Sequence, residues 1–444
     1  MHSLRFSIFP LLGLATLTAV LASCGSRGAA PPPQPVVNGS VSRAGGGAEE
    51  DAPSHTGVFS KVMDLPVTAN LWHLGSESLV LGGARGPFAL IHGDKIHGLP
   101  ELDRGLDLDD GTYDRGSTHR ILGRWPDAVW LVWRGHDTWS AAHNMWFERL
   151  FRLRTDRWEL IHETEHDESS NELYRGLWEQ PRGCLVGLLS DNDDSSDASW
   201  AHQEVFDCPA QSAPDFPFVA TKQREYGIAA VLGFASGEVL VLEHHTEMTE
   251  GDPIPVRLAI SRPGKPNRTE IDLPLPAEIA RDRRGFWLDN CRLLGQKPTD
   301  VHVILNYMVS RVPGRAHYEG VITHPVILRF NGASFSPIPL PQLDFFMTAD
   351  LAEDGTLVAL GSPAKDPGER VTWALPDGGE WIPIRMPLVP EVEDVYRPWS
   401  IAAHSIRDIW VVGYHEKEGG KDRRSALFHK RPAAGAVTTP HPPR

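Results

Sequence analysis

Cysteine is scarce in this chain: four in 444 residues, at positions 24, 184, 208 and 291. No two of them have the spacing of a zinc-ligand pair. The G-x-S-x-G elbow and the Gly-rich phosphate loop do not occur, which removes two common signs of hydrolase and nucleotide chemistry. The 20 histidines are scattered, and neither His244-His245 nor His136 with His143 makes an H-E-x-x-H pattern. Positive charge is also short. Lys plus Arg number 43 against 58 Asp plus Glu, a net −15. Removing a leader whose one charged residue is Arg5 takes this from −15 to −16. A surface of that sign repels phosphate backbones, so nucleic acid is not an expected partner. Convincing helical periodicity is missing as well, whereas Gly (41) and Pro (37) are plentiful, as where many short strands are joined by turns.

There is one long apolar run, and it stands at the start. Arg5 precedes the apolar residues 6–21, which contain Pro10 and stop at the length of an export signal, short of a comfortable membrane span. The run ends in Leu21-Ala22-Ser23-Cys24. This stretch resembles the lipobox of bacterial lipoproteins, with small residues before the cleavage point and a Cys that takes a diacylglycerol. The resemblance implies a signal peptide over 1–23, lipidation (palmitate among the acyl groups) at Cys24, and a bacterial cell-envelope address. Gly25 and Ser26 stand where an inner-membrane retention Asp would be, so the outer membrane is the expected destination. Acyl chains contribute about 0.8 kcal/mol per buried CH₂, enough in combination to hold a protein on a membrane. Residues 24–55 then form a Gly-, Ala-, Pro- and Ser-rich linker with nothing to fill a core, expected as a disordered tether.

From residue 56 to 431 a short pattern recurs: a turn ending in an acidic residue or Gly, then an apolar strand that stops at Gly or a polar loop. Its clearest copy is Ser405-Ile406-Arg407-Asp408-Ile409-Trp410-Val411-Val412-Gly413. Others are Ser76-Glu77-Ser78-Leu79-Val80-Leu81-Gly82, Asp300-Val301-His302-Val303-Ile304 and Asp354-Gly355-Thr356-Leu357-Val358-Ala359-Leu360-Gly361. Repetition every fifty to sixty residues marks blades or solenoid units. Each unit reads as four strands, A to D, with hairpin signals such as Asn331-Gly332 between C and D. The seventh copy lacks its strand D, while the segment from Phe59 to Pro66 is a strand D without a unit. Placing the orphan on the incomplete unit closes a ring and removes an open sheet edge. The expected fold is therefore all-β: a seven-bladed β-propeller closed by an N-terminal strand, followed by a disordered tail over 432–444. The Asp-Ile-Trp-Val-Val-Gly strand resembles those of other bacterial repeat propellers. Its Asp and Trp are expected in turn and packing roles.

Cys184 begins strand B of the third unit and Cys208 ends its strand C, so the two are expected to form a disulfide in an exported protein. Cys291 is expected to remain a buried free thiol. The B–C and D–A connections are the longer ones, and the face that carries them is the expected site. Its early loops are acidic. Asp107-Leu108-Asp109-Asp110-Gly111 and Asp191-Asn192-Asp193-Asp194 offer alternating oxygen ligands of the kind calcium uses, but without a distal bidentate Glu. Asp107, Asp109, Asp191, Asp193, Trp139 and Trp200 are the candidate binding residues. Calcium is the one cofactor that arises, and no catalytic residue stands out. The expected function is a binding or protein-interaction module, monomeric, anchored to a membrane, with an envelope protein or glycan as partner. The alternative is a glycan-processing hydrolase, which would need a carboxylate pair near the ring axis. A calcium-stabilised scaffold is the third.

Overall fold

The structure is a computed structural model. It describes residues 59–431 except 66–68, 75–76, 84–85, 94, 103–116, 141–142, 167–173, 181–183, 193–198, 208–225, 246–255, 266, 275–285, 311–320, 342, 364–369, 385–394 and 417–422. The leader, Cys24, the linker and the tail lie outside the described residues. No helix occurs among the described residues. Twenty-seven strands do, beginning with β1 (Phe59–Leu65).

The strands build seven antiparallel sheets in chain order. The first is β2 (Ala69–His73), β3 (Ser78–Gly83), β4 (Gly86–His92) and β5 (Lys95–Gly98). The second is β6 (Ser117–Arg124), β7 (Ala128–Ser140), β8 (His143–Leu153) and β9 (Trp158–His166). The third is β10 (Tyr174–Gln180), β11 (Cys184–Asn192) and β12 (Ser199–Phe206). The fourth is β13 (Tyr226–Gly233), β14 (Val239–His245), β15 (Val256–Ser261) and β16 (Thr269–Asp272). The fifth is β17 (Phe286–Lys297), β18 (Asp300–Ser310), β19 (Val321–Phe330) and β20 (Phe335–Pro337). The sixth is β21 (Phe345–Leu351), β22 (Leu357–Ser362), β23 (Val371–Leu375) and β24 (Ile382–Ile384). The last is β25 (Val395–Ser405), β26 (Asp408–Glu416), β27 (Arg423–Lys430) and, on its outer edge, β1.

The expectation of seven full blades is corrected by this count. Six of the sheets are four-stranded blades; the one over β10–β12 has three strands among the described residues. The orphan strand is where the sequence puts it. Phe59 lies opposite Lys430 and Leu65 opposite Ser425, so the N-terminal strand completes the C-terminal sheet.

Second strands are flanked by neighbours on both edges and by sheets on both faces. Their sequences are accordingly apolar throughout rather than alternating. β3 and β22 are buried from end to end. Between consecutive sheets lies one core each, and the closing core joins Leu71, Leu79 and Leu81 of the first sheet to Trp410, Val412 and Leu427 of the last. A fully buried Leu or Phe contributes about 1.5–3 kcal/mol, and side chains such as Leu131, Phe330 and Leu360 are inaccessible to solvent. First strands stand closest to the axis and contact the first strands of their neighbours, with β25 meeting β2 to complete the circle. Contact is close enough that a Cβ on Gly233 would lie 2.1 Å from Cγ of Trp178 in the preceding sheet.

The Asp-Ile-Trp motif holds the last sheet together, in the role its sequence suggested. Asp408 is 2.7 Å from Nε2 of His429 on β27, and Trp410 stacks on that same ring at 3.7 Å. The second sheet uses a related device, with the Arg152 guanidinium over the Trp130 ring. In the fifth, Asp300 takes a two-pronged hydrogen bond from Arg329, which also reaches Asp377 of the sixth.

Candidate functional site

Most of the long connections lie outside the described residues, and with them Asp107, Asp109 and Asp193. Asp191 and Trp200 are register partners across β11 and β12, so the backbone does bring these two together. Trp139 belongs to β7, which runs on through residue 140 and turns back into β8 after two residues. Trp139 is the last residue but one of β7 and Trp200 the second of β12, so both lie at strand ends beside the connections. Cys184 opens β11, but Leu185 pairs with Phe206, so the register places Asp207, with φ +50°, opposite Cys184. Cys208 lies outside the described residues. Cys291 is free, as expected, and burial together with Asp289 pushes its thiol up to about 12, so it stays protonated.

One motif went unread in the sequence. His162-Glu163-Thr164-Glu165-His166 spells H-E-x-x-H, but it lies on β9. On a strand, residues four apart are about 13 Å apart along the backbone, unlike the one-turn spacing by which a helix brings this motif's two His together. Glu163 is instead ion-paired with Arg149. Among the described residues no group of His, Cys, Asp or Glu has the geometry to hold a metal.

The side chains that converge are on the axis. Six of the seven first strands are interrupted by a β-bulge, at Thr118/Arg120, Tyr174/Gly176, Ile228/Ala230, Asp289/Arg292, Phe346/Thr348 and Pro398/Ser400. A bulge leaves one or more residues out of the ladder and re-aims their side chains. His119 and Trp399, two of the residues left out, are exposed. Trp399 is 44% exposed and donates from Nε1 to Oδ1 of Asn70 on β2 at 2.9 Å.

Closer to the A–B turns, four charged or titratable residues come from four different sheets: His73 (β2), Arg292 (β17), Asp350 (β21) and His404 (β25). Nε2 of His73 is 2.6 Å from Oδ2 of Asp350, and the same oxygen accepts the Ala403 amide at 2.7 Å. Asp350 thereby ties the first sheet to the sixth across the closing sheet. The rings of His73 and His404 meet edge-to-face at 5.1 Å. Burial works against a charged imidazole, yet the charge and hydrogen bond of Asp350, with help from Glu353 and Asp408, leave His73 above its ordinary value. Burial, then the charge of His73, hold His404 below its own, and its Nδ1 is buried with no hydrogen-bond partner.

Arg292, on the inner strand β17, is exposed, yet surrounding protein desolvates its guanidinium. Enclosure pushes its guanidinium below the ordinary value, against the pull of Asp350. It has no hydrogen bond and no ion pair among the described residues. The sequence does not single out these four: their strands carry other polar residues too, among them Asn70, Asp289, Thr348 and Arg397.

A cavity of about 500 Å³ lies away from the axis, between the fifth and sixth sheets. Pro337, Pro339, Pro376 and Trp381 form its apolar walls, with His302 and Arg329 among its polar lining. Trp381 donates to the Pro339 carbonyl at 2.7 Å. Burial, then Arg329, keep His302 below its ordinary value and hence neutral at pH 7.

No protein-family model matches the sequence, and no curated protein matches it. Among solved structures the chain is similar to an ulvan lyase of polysaccharide lyase family PL25 bound to -[GlcA(1-4)Rha3S]-, at 12% identity and TM-score 0.46, over 81% of this chain and 90% of that one. It is also similar to the GH74 xyloglucanase of Xanthomonas campestris, at 15% identity and TM-score 0.44, over 80% of this chain and 53% of that one. A third is the GH93 α-L-arabinofuranosidase of Fusarium graminearum in complex with arabinobiose, at 10% identity and TM-score 0.40, over 79% and 97%. Likeness of this degree carries no argument about what the chain binds or does. The chain's own sheets and registers establish an all-β propeller.

Proposed function

We propose that the chain is a binding module of the bacterial cell envelope, held at the outer membrane by lipid on Cys24, which takes its ligand on the long-loop face and in the axial channel. The reading rests on one observation: first strands of four sheets bring His73, Arg292, Asp350 and His404 within electrostatic or ring contact of one another. Core packing gains nothing from such residues. A few convergent polar groups are instead what orients a ligand in a small-molecule site. The linker supplies reach from the membrane: about 31 residues of flexible chain give a root-mean-square span of about 30 Å.

A glycan-processing hydrolase remains the alternative, favoured by the hydrogen-bonded His73–Asp350 pair, since an imidazole held by a carboxylate is suited to moving a proton. Binding isotherms of the mature protein against envelope glycans and purified envelope proteins test the two together. The binding reading expects at least one partner that saturates, is recovered unchanged, and weakens tenfold or more in Trp399→Ala. Turnover that Asp350→Asn abolishes would transfer the protein to the hydrolase reading. Binding indifferent to every axial and long-loop change would refute the site.

A further inference from the structure

We propose that the axial channel takes an acidic oligosaccharide, with a ring carboxylate on Arg292 and a sugar face on Trp399. This rests on the placing of the ligand on the axis and adds its chemical class.

Two independent observations point to it. The first is Arg292. A guanidinium presents a rigid fork of donors that matches a carboxylate two-pronged, and enclosure strengthens such a bond. Elsewhere in this chain that fork is used: Arg329 is paired to Asp300 and Asp377, and Arg257 to Glu243 and Glu270. In the channel it is not. The nearby carboxylate of Asp350 gives its Oδ2 to His73 and the Ala403 amide, that of Asp408 bonds His429, and Arg292 is hydrogen-bonded to neither. The unpartnered Nδ1 of His404 is a further polar atom without an acceptor or donor.

The second observation is Trp399. A bulge turns its ring out of the sheet cores, and its one polar atom is already bonded to Asn70. What remains exposed is the indole face, which suits the C–H face of a pyranose. Trp399 and His404 are five residues apart on β25, about 16 Å at about 3.3 Å per residue. That is about three sugar rings, so one short oligosaccharide can reach both. Two anions, Asp350 and Glu353, stand at the cationic end. They disfavour a doubly charged phosphate more than a singly charged carboxylate.

The probes are tri-galacturonate and its fully methyl-esterified counterpart, titrated into the mature protein by calorimetry. The acid is expected to bind about tenfold to a hundredfold more tightly than the ester, the range for a two-pronged bond to a charged group. Arg292→Gln should bring the acid down to the ester and leave the ester unchanged. Arg292→Lys, which keeps the charge and loses the fork, should fall between. Trp399→Ala should weaken both. Melting curves of each variant confirm that the fold is intact. Equal binding of acid and ester, or discrimination that survives in Arg292→Gln, would overturn the assignment of the carboxylate; if Trp399→Ala still weakened the ester, the axial site itself would stand. Binding of neither trimer would overturn the inference as a whole.

Discussion

Replacing Asp350 by Ala removes one oxygen that serves two donors in two other sheets. His73 loses a partner at 2.6 Å and the Ala403 amide, itself buried, loses one at 2.7 Å. Hydrogen bonds to a charged group contribute about 1.5–3 kcal/mol each, and a buried amide left unpaired costs at the upper end of its range. Together the loss is about 4 kcal/mol. The unfolding entropy of a unit spanning Pro53–Arg444 is about 0.8 kcal/mol/K, from about 2.1 cal/mol/K per residue. The melting temperature should therefore fall by about 5 °C.

The pH dependence adds a sign. His73 is raised above its ordinary value in the folded protein, so the folded state holds that proton more firmly than the unfolded one. Its contribution is complete below about pH 6.5 and is lost as pH rises through the raised folded value. Differential scanning calorimetry at pH 6 and pH 9 should find a larger gap between parent and variant at the lower pH. A drop under about 1 °C, or a gap that widens with pH, would refute the claim that this pair clasps the ring.

Glu243→Ala should cost about 1.5–3 kcal/mol, read as a lowered urea midpoint, because Arg257 and Arg268 would lose the buried one of the two carboxylates that join them and keep only the more exposed Glu270. Deleting residues 58–65 should expose the outer edge of β27 and produce aggregation or a clear loss of melting temperature; an unchanged transition would mean that β1 does not close the ring. Cys24→Ala should move the protein from the membrane to the soluble fraction with its melting curve intact, and retention after a salt wash would count against lipid anchoring. Peptide mapping without reductant should find Cys184 joined to Cys208, a loop of about 25 residues with about 3 kcal/mol of stabilisation. A link from either to Cys291 would contradict the order of sheets.

The ring was legible because each of its parts leaves a trace in the residues. Leu79-Val80-Leu81 and Leu357-Val358-Ala359-Leu360 are apolar without alternation because they are second strands, covered on both faces. Phe59 and Leu65 are buried at the two ends of a strand that leaves Ser60, Lys61 and Asp64 exposed, as an outer edge does, and the last unit lacks such a strand of its own. The axial site was not legible, for a geometric reason. Which way Trp399 points depends on a one-residue bulge between Pro398 and Ser400, and whether Arg292 enters the channel depends on the break that begins at Asp289. A bulge shifts the two-residue period by one and leaves no residue type behind to mark it. His73 and Asp350 are 277 positions apart, and only closure of the ring makes them neighbours. The unread H-E-x-x-H is the converse case, where the letters are present and strand spacing removes the geometry they need.

Hydrogen–deuterium exchange of the mature protein, with and without a saturating acidic oligosaccharide, tests most directly whether the axis is the binding site. The account predicts slower exchange in β2, β17, β21 and β25, the four first strands that carry His73, Arg292, Asp350 and His404, with the outer strands β5, β16, β20 and β24 unchanged. Protection confined to those outer strands, or to the cavity between the fifth and sixth sheets, would contradict it.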